Sequence, residues 1–471
     1  MPPGPPTRPP TTPPSGPAPW AAPGASTPPT GPPTGPQPGE ELGLPGRRRW
    51  LVVVAILGVL VLLIGTIAFV VGDDDEDGEA SLTATTTTES DDDGEEAPAP
   101  SDPPADSPPA EPVDPEEFLA LIDELEAYVA EARELEWQSD VEVELLADDE
   151  FEARLLADFE EDADEIAESE LFYRALGMLT GERSLLEELR AIYSSGVLGF
   201  YDTETNELVV RGTSPTPYVQ QTIVHELVHA IDDQNFELFR PEYDDRKDEI
   251  STGFGATVEG NARRVETQWL SEQPSEFRDE AAAEEQRFAD AIDVDAFPEI
   301  LLFQIGAPYQ LGEIFVGQLV GDGGERSVDA ALTDPPDTSE QFLFPPRYLD
   351  REPRIEVPVP PAEGDVVDDF VIGALFLFGM FTTDGAPVNQ TDAVRAVDGW
   401  GGDWSVVWTE GDLACVRADF VGDTDDDTGE IADALETWSD ERGVGQVSRT
   451  DEGRVRLESC ASSAGAVPPQ V

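Results

Sequence analysis

Residues 219–234 read VQQTIVHELVHAIDDQ, and this stretch decides the fold. Its apolar side chains recur at helical spacing, so the pattern predicts an amphipathic helix. His225 and His229 lie one turn apart, which places both imidazoles on the same side of that helix. They are also the only two histidines in the chain. This H-E-x-x-H spacing is typical of a metal-binding helix, with Glu226 beside the metal.

The motif predicts hydrolytic chemistry. In catalytic zinc sites three protein ligands hold Zn²⁺, and a water or substrate takes the fourth position. Because no other histidine exists, we expect the third ligand to be a carboxylate. Glu259 is the best candidate, since GATVEGNARR at 255–264 predicts a second helix in which Gly260 lets another backbone approach closely. Glu266 is a competing acid. Glu226 would take the proton of the attacking water and pass one to the leaving amine.

Two supporting roles have several candidates. A metal-bound histidine normally donates its other ring N–H to a carboxylate or carbonyl, and Asp232 or Asp233 is placed to accept it. The charge that develops on a carbonyl oxygen also needs a donor. Tyr309, Tyr348 and Arg263 are all candidates for that donor.

Segments HELVHA at 225–230 and VEGNA at 258–262 resemble the gluzincin group of zinc metallopeptidases. In that group the third ligand is a glutamate on a following helix. The resemblance implies a zincin-like α+β fold. It also implies that the strand at 208–211 is a sheet edge that receives extended substrate, although a purely structural strand is the alternative.

Further segments resemble a largely uncharacterised bacterial branch of such proteins, over about residues 114–440. These segments are GFYD at 199–202, DDQNFEL at 232–238, TSEQFLFPPRY at 338–348 and GWGGD at 399–403. The branch pattern has a histidine where Phe344 stands in this chain. We therefore do not expect position 344 to be catalytic.

The first quarter of the chain predicts a membrane anchor. Residues 1–46 are rich in Pro, Gly and Thr, which predicts a disordered tail. Three arginines at 47–49 precede an uncharged apolar run at 50–71 that is long enough to span a bilayer. The positive-inside rule then places the N-terminus in the cytoplasm and the later residues outside. Residues 72–113 are acidic and rich in Pro and Thr, which predicts an extended stalk.

Residues 114–465 are expected to form the ectodomain, an α+β metallopeptidase-like domain that is mainly helical with a small sheet. Asp114 marks the start of its first helix, and residues 198–211 read as a β-hairpin. Cys415 and Cys460 are the only cysteines. On the oxidising side of a membrane they form either one disulfide or two separate thiols.

Asp and Glu number 101 against 27 Lys and Arg. This excess excludes nucleic acid as a partner, because a phosphate backbone needs a basic surface. It indicates either a salt-adapted or high-GC host, or a preference for basic substrates.

The sequence thus predicts a membrane-anchored zinc peptidase that acts on peptide or protein substrates. Two other classes remain open: a catalytically silent zinc-binding scaffold of the same fold, and a hydrolase of cell-wall amide bonds.

Overall fold

The computed structural model describes residues 114–157, 162–203, 205–244 and 246–463. It also describes the backbone of three short extended segments, Val53–Ala55, Val71–Gly72 and Ser81–Leu82. The predicted tail at 1–46 lies outside the described residues, and so does the predicted stalk apart from two of these segments. The described fold is α+β and mainly helical, as expected.

The first helix, α1 (Pro115–Arg133), begins where the sequence predicts. The Asp114 side chain accepts a hydrogen bond from the Glu116 amide at 2.9 Å, and Pro115 occupies the first helical position. Acids in the first turn and Arg133 in the last turn suit the helix dipole. After strand β1 (Glu142–Leu146), three more helices follow: α2 (Asp148–Leu155), α3 (Ala163–Ala175) and α4 (Leu185–Gly196).

The predicted hairpin forms from β2 (Gly199–Asp202) and β3 (Glu207–Arg211), which pair antiparallel. However, β3 also pairs in parallel with β1, so the sheet order is Val53–Ala55, β2, β3, β1. The expectation that residues 208–211 form a free edge is therefore wrong. Both edges of β3 are occupied because β1, far earlier in the chain, adds alongside it.

A layer of helices follows and carries the predicted site. Its members are α5 (Pro217–Phe236), α6 (Pro241–Asp244), α7 (Ile250–Glu272), α8 (Ser275–Ala289), α9 (Glu299–Gly323) and α10 (Glu325–Thr333). Helices α7 and α9 cross at glycines. A Cβ added at Gly260 would lie 2.1 Å from the carbonyl carbon of Gly312. The expectation that Gly260 admits a neighbouring backbone is confirmed.

The C-terminal part is built on a five-stranded antiparallel sheet. Two short helices lead into it, α11 (Ser339–Leu343) and α12 (Pro345–Asp350). The elements of this part are β4 (Asp365–Phe370), α13 (Gly373–Thr382), α14 (Gln390–Asp398), β5 (Trp400–Glu410), β6 (Leu413–Gly422), α15 (Asp425–Arg442), β7 (Gln446–Arg449) and β8 (Val455–Ser462). The strand order is β7, β8, β6, β5, β4.

Cys415 of β6 and Cys460 of β8 face each other in register and form a disulfide. Of the two possibilities that the sequence left open, the disulfide is the one observed. It links two neighbouring strands of the C-terminal sheet.

One helix in the described part of the chain, α9, is long and apolar enough to cross a membrane by length and composition. Within its apolar window, 61% is buried inside the protein, as in the core helix of a globular domain. The predicted anchor at 47–71 is a different segment. Its residues Val53–Ala55 are extended and pair with β2, since valines suit a strand and β2 offers an edge. Val71 is also extended, so the predicted membrane-spanning helix is not observed at these described positions, and the rest of 47–71 lies outside the described residues.

Candidate metal centre

The structure brings the three predicted ligands together. His225 and His229 project from α5 toward Glu259 on α7. The Nε2 atoms of the two histidines lie 3.3 Å and 3.5 Å from the same oxygen, Oε2 of Glu259. The three ligand atoms all lie within 4.8 Å of one another, and all three residues are buried. This group could hold a metal ion.

Glu266 sets the orientation of His225. One of its carboxylate oxygens lies 2.9 Å from Nδ1 of His225. Burial acts to lower the pKa of His225, but its contacts with Glu259 and Glu266 raise it to about 9, so without a cation the ring is protonated and donates from both nitrogens. A metal ion at Nε2 would replace that proton, while Nδ1 keeps its bond to Glu266.

His229 has no hydrogen-bond partner at either ring nitrogen among the described residues, although it is fully buried. Buried polar atoms are normally hydrogen-bonded, so an orphaned imidazole calls for an explanation. A metal ion held at Nε2 would account for that nitrogen.

The predicted histidine partners, Asp232 and Asp233, have other roles. Asp232 accepts hydrogen bonds from Arg133 at 2.9 Å and from Asn261 at 2.6 Å. Asp233 accepts from the Tyr201 hydroxyl at 3.0 Å and from the Leu238 amide. No hydrogen bond joins either acid to a histidine in the described part of the chain. These two candidates were wrong because their side chains turn toward α1, α7 and β2.

Glu266 is the residue that takes this role. It stands seven residues after Glu259, which is two helical turns and therefore the same face of α7. This spacing is the signal that identifies it from sequence. Glu259 and Glu266 thus both contact His225, but at different ring nitrogens: Glu259 at Nε2 and Glu266 at Nδ1.

The electrostatics of the centre favour a cation. Burial acts to raise the pKa of Glu266, but the Arg263 guanidinium at 2.7 Å and the contact with His225 lower it to about 2. Burial acts likewise on Glu259, and the two imidazoles together hold its pKa below the usual value. Two carboxylates are therefore ionised in a buried space.

Glu226 lies beside the histidines on the same helix and is fully buried. Burial raises its pKa well above the usual value, and Glu259 adds to the shift, while His225 and the Tyr201 amide act against it. Neither carboxylate oxygen has a hydrogen bond of ordinary geometry within the described residues. The side chain packs against Gly199 of β2, where an added Cβ would lie 3.2 Å from Oε1. Glu226 is thus a buried carboxyl group whose affinity for a proton is raised.

Of the three candidate donors, Tyr309 reaches the centre. Its ring stacks on that of His225 with centroids 6.0 Å apart, and its hydroxyl bonds to Glu259. Arg263 is engaged by Glu266. Tyr348 donates to the carbonyl of Asp334 at 2.8 Å instead.

A cavity of about 440 Å³ opens onto Glu259. Its walls come from α3, α7, α9, α13 and β4, so the helical layer and the C-terminal part both contribute. Residue 344 is not among the lining residues. Of the three ligand candidates and Glu226, only Glu259 lines the cavity; His225, His229 and Glu226 are fully buried and do not.

No protein-family model, curated protein or solved structure matches this chain. The function of this chain is therefore inferred from the geometry and chemistry of the site alone.

Proposed function

We propose that this chain is a zinc-dependent peptidase of the gluzincin type, with His225, His229 and Glu259 as ligands and Glu226 as general base. The observation that supports this proposal most directly is the spacing of the ligand atoms. Two atoms about 2.0–2.1 Å from one tetrahedral Zn²⁺ lie about 3.3–3.4 Å from each other. The distances from Glu259 Oε2 to the two histidine nitrogens, 3.3 Å and 3.5 Å, match this geometry.

The donor set supports zinc in a catalytic site. Two histidines and one glutamate are typical of zinc hydrolases that keep one position open, whereas structural zinc sites are closed by four protein ligands. Zinc supplies Lewis acidity there, which makes a water molecule more acidic and a peptide carbonyl more electrophilic.

The protein's own residues provide the proton transfers and the alignment. Glu226 accepts the proton of the attacking water and returns one to the leaving amine, a role that suits a carboxyl group whose pKa is raised by burial. Glu266 keeps His225 in one tautomer and one orientation. Tyr309 is the candidate hydrogen-bond donor for the negative charge that develops on the carbonyl oxygen, because its hydroxyl already contacts Glu259.

The site would act outside the cytoplasmic membrane. The disulfide between Cys415 and Cys460 supports an oxidising compartment, because such bonds rarely persist in the cytosol.

The test is cleavage profiling of a diverse peptide mixture by the full chain in detergent with added zinc, read by mass spectrometry. Glu226→Gln should retain zinc and lose activity by at least about 10²-fold. Glu280→Gln is the matched control, since that glutamate is exposed on α8 and should keep full activity.

Three outcomes contradict the proposal. Absence of stoichiometric zinc in the wild type removes its basis. Bound zinc without cleavage of any peptide indicates a silent scaffold. Cleavage of cell-wall amides but not of peptides indicates the other hydrolase class.

A further inference from the structure

The cavity beside Glu259 has a wall that the proposed chemistry does not use. Helix α7 lines it with Thr252, Gly255 and Glu259, which recur at helical spacing along one face. Other parts of the lining come from α3, α13 and β4. A group that occupies this cavity therefore lies directly beside a proposed metal ligand.

Six aromatic rings line the cavity: Phe172, Tyr173, Tyr243, Phe254, Phe370 and Phe376. Phe172 meets Phe370 edge-on at a centroid distance of 5.1 Å. On another wall Tyr243 meets Phe254 edge-on at 5.4 Å. Edge-to-face packing leaves ring faces and ring edges available to a further aromatic group. The rings thus offer the contacts that another ring prefers.

Several ionisable groups of the cavity have partners within the protein. Glu249 accepts from the Ser339 amide at 3.2 Å, and Asp368 pairs with Lys247 at 3.2 Å. The Arg240 guanidinium donates to the Phe236 and Glu237 carbonyls and lies over the ring of Phe254 at 4.7 Å. A ligand therefore finds mainly apolar and aromatic surface, in a chain whose overall charge is strongly negative.

We propose that this cavity is a subsite for one aromatic side chain of the substrate, next to the bond that is cleaved. This inference rests on the proposed peptidase function and names the substrate class. The volume of about 440 Å³ falls in the range of about 300–1,000 Å³ that is typical of ligand sites, so a Phe, Tyr or Trp side chain fits. Burial of an aromatic side chain in place of alanine should raise kcat/KM on the order of 10- to 100-fold.

Gly255 provides the test, because a Cβ added there meets no atom within 4 Å. Gly255→Phe should fill the cavity with the protein's own ring. Gly317→Phe is the matched control: it lies on α9 outside the cavity, and its Cβ also meets no atom within 4 Å. Zinc content of all variants is measured alongside.

Full-chain wild type and both variants are profiled on peptides that differ only in Phe or Ala beside the scissile bond. We expect the wild type and Gly317→Phe to prefer Phe by at least about 10-fold. Gly255→Phe should lose that preference while it still cleaves the Ala peptide. A wild type that cleaves without preference overturns the subsite, as does a Gly255→Phe variant that keeps the preference or loses both substrates equally.

A binding measurement separates this inference from the proposed function. Calorimetric titration with N-acetyl-phenylalanine amide, compared with N-acetyl-alanine amide, reports on the cavity without turnover. If no peptide is cleaved but the aromatic probe binds wild type and not Gly255→Phe, the recognition holds and the peptidase function fails. If the aromatic probe does not bind in preference to the alanine probe, the subsite is refuted.

Discussion

Replacing Gly260 with alanine tests how tightly the helix that carries Glu259 is held against α9. The new Cβ would lie 2.1 Å, 2.3 Å and 2.6 Å from the carbonyl carbon, oxygen and Cα of Gly312. Non-bonded carbon atoms rest about 3.5–4.0 Å apart, so the two helices must separate by about 1 Å or more. The opposing atoms are backbone, and no flexible side chain can give way.

Overpacking of this kind costs about 1–3 kcal/mol, and a clash of backbone with backbone belongs at the upper end. A loss of about 3 kcal/mol lowers the folding equilibrium constant more than 100-fold. Since Glu259 precedes Gly260, the displacement also changes the distance from its carboxylate to the two histidines. Zinc affinity should fall together with stability.

The assay is denaturant unfolding of the full chain with and without zinc, combined with zinc competition against a chelator. Gly255→Ala is the matched control on the same helix, because its Cβ meets open space. That variant should be neutral or gain up to about 1 kcal/mol, as expected for Gly→Ala in a helix. Equal stability and equal zinc affinity in the two variants would refute the close crossing of α7 and α9.

Three further predictions concern other contacts. Glu266→Gln should weaken zinc binding by about 10- to 100-fold in the same chelator competition, because His225 loses its charged partner; unchanged affinity would show that the contact has no orienting role. Replacement of Cys415 and Cys460 by serine should lower the free energy of unfolding by up to about 4 kcal/mol, since the bond closes a loop of 45 residues; an unchanged denaturant midpoint would contradict this. Burial raises the pKa of Glu249 from 4.5 to about 8, so in that pH window the folded state holds a proton that the unfolded chain releases. The contribution of Glu249 to stability therefore falls as pH rises from about 4.5 to 8. Glu249→Gln should flatten the measured pH dependence of the unfolding midpoint. An identical slope in the variant would argue against a buried, protonated Glu249.

Local geometry explains which parts of the site could be predicted from the sequence. The four-residue spacing of His225 and His229 determines their shared direction as soon as the segment is helical. The role of Gly260 followed from the absence of a side chain next to Glu259. These features depend on neighbours in sequence, so the pattern contains them.

The parts that were mispredicted depend on distant partners. Strand β3 was expected at an edge because nothing local reveals that β1 pairs with it in parallel. Asp232 was expected to accept from a histidine, yet it binds Arg133, which is 99 residues away in the chain. The cavity likewise combines α3, α7 and β4, and no sequence window spans them. Long-range pairing and packing decided each of these.

The contact between Arg133 and Asp232 also ties α1 to α5, so the two helices cannot be exchanged between chains independently without cost. Arg133 ends α1 and is wholly buried, and its partner Asp232 stands three residues after His229. A chain that lacked α1 would bury that carboxylate without its cation, at a cost of about 3–5 kcal/mol. A recombination breakpoint between α1 and α5 should therefore destabilise the fold, although it lies far upstream of the residues that would perform the chemistry.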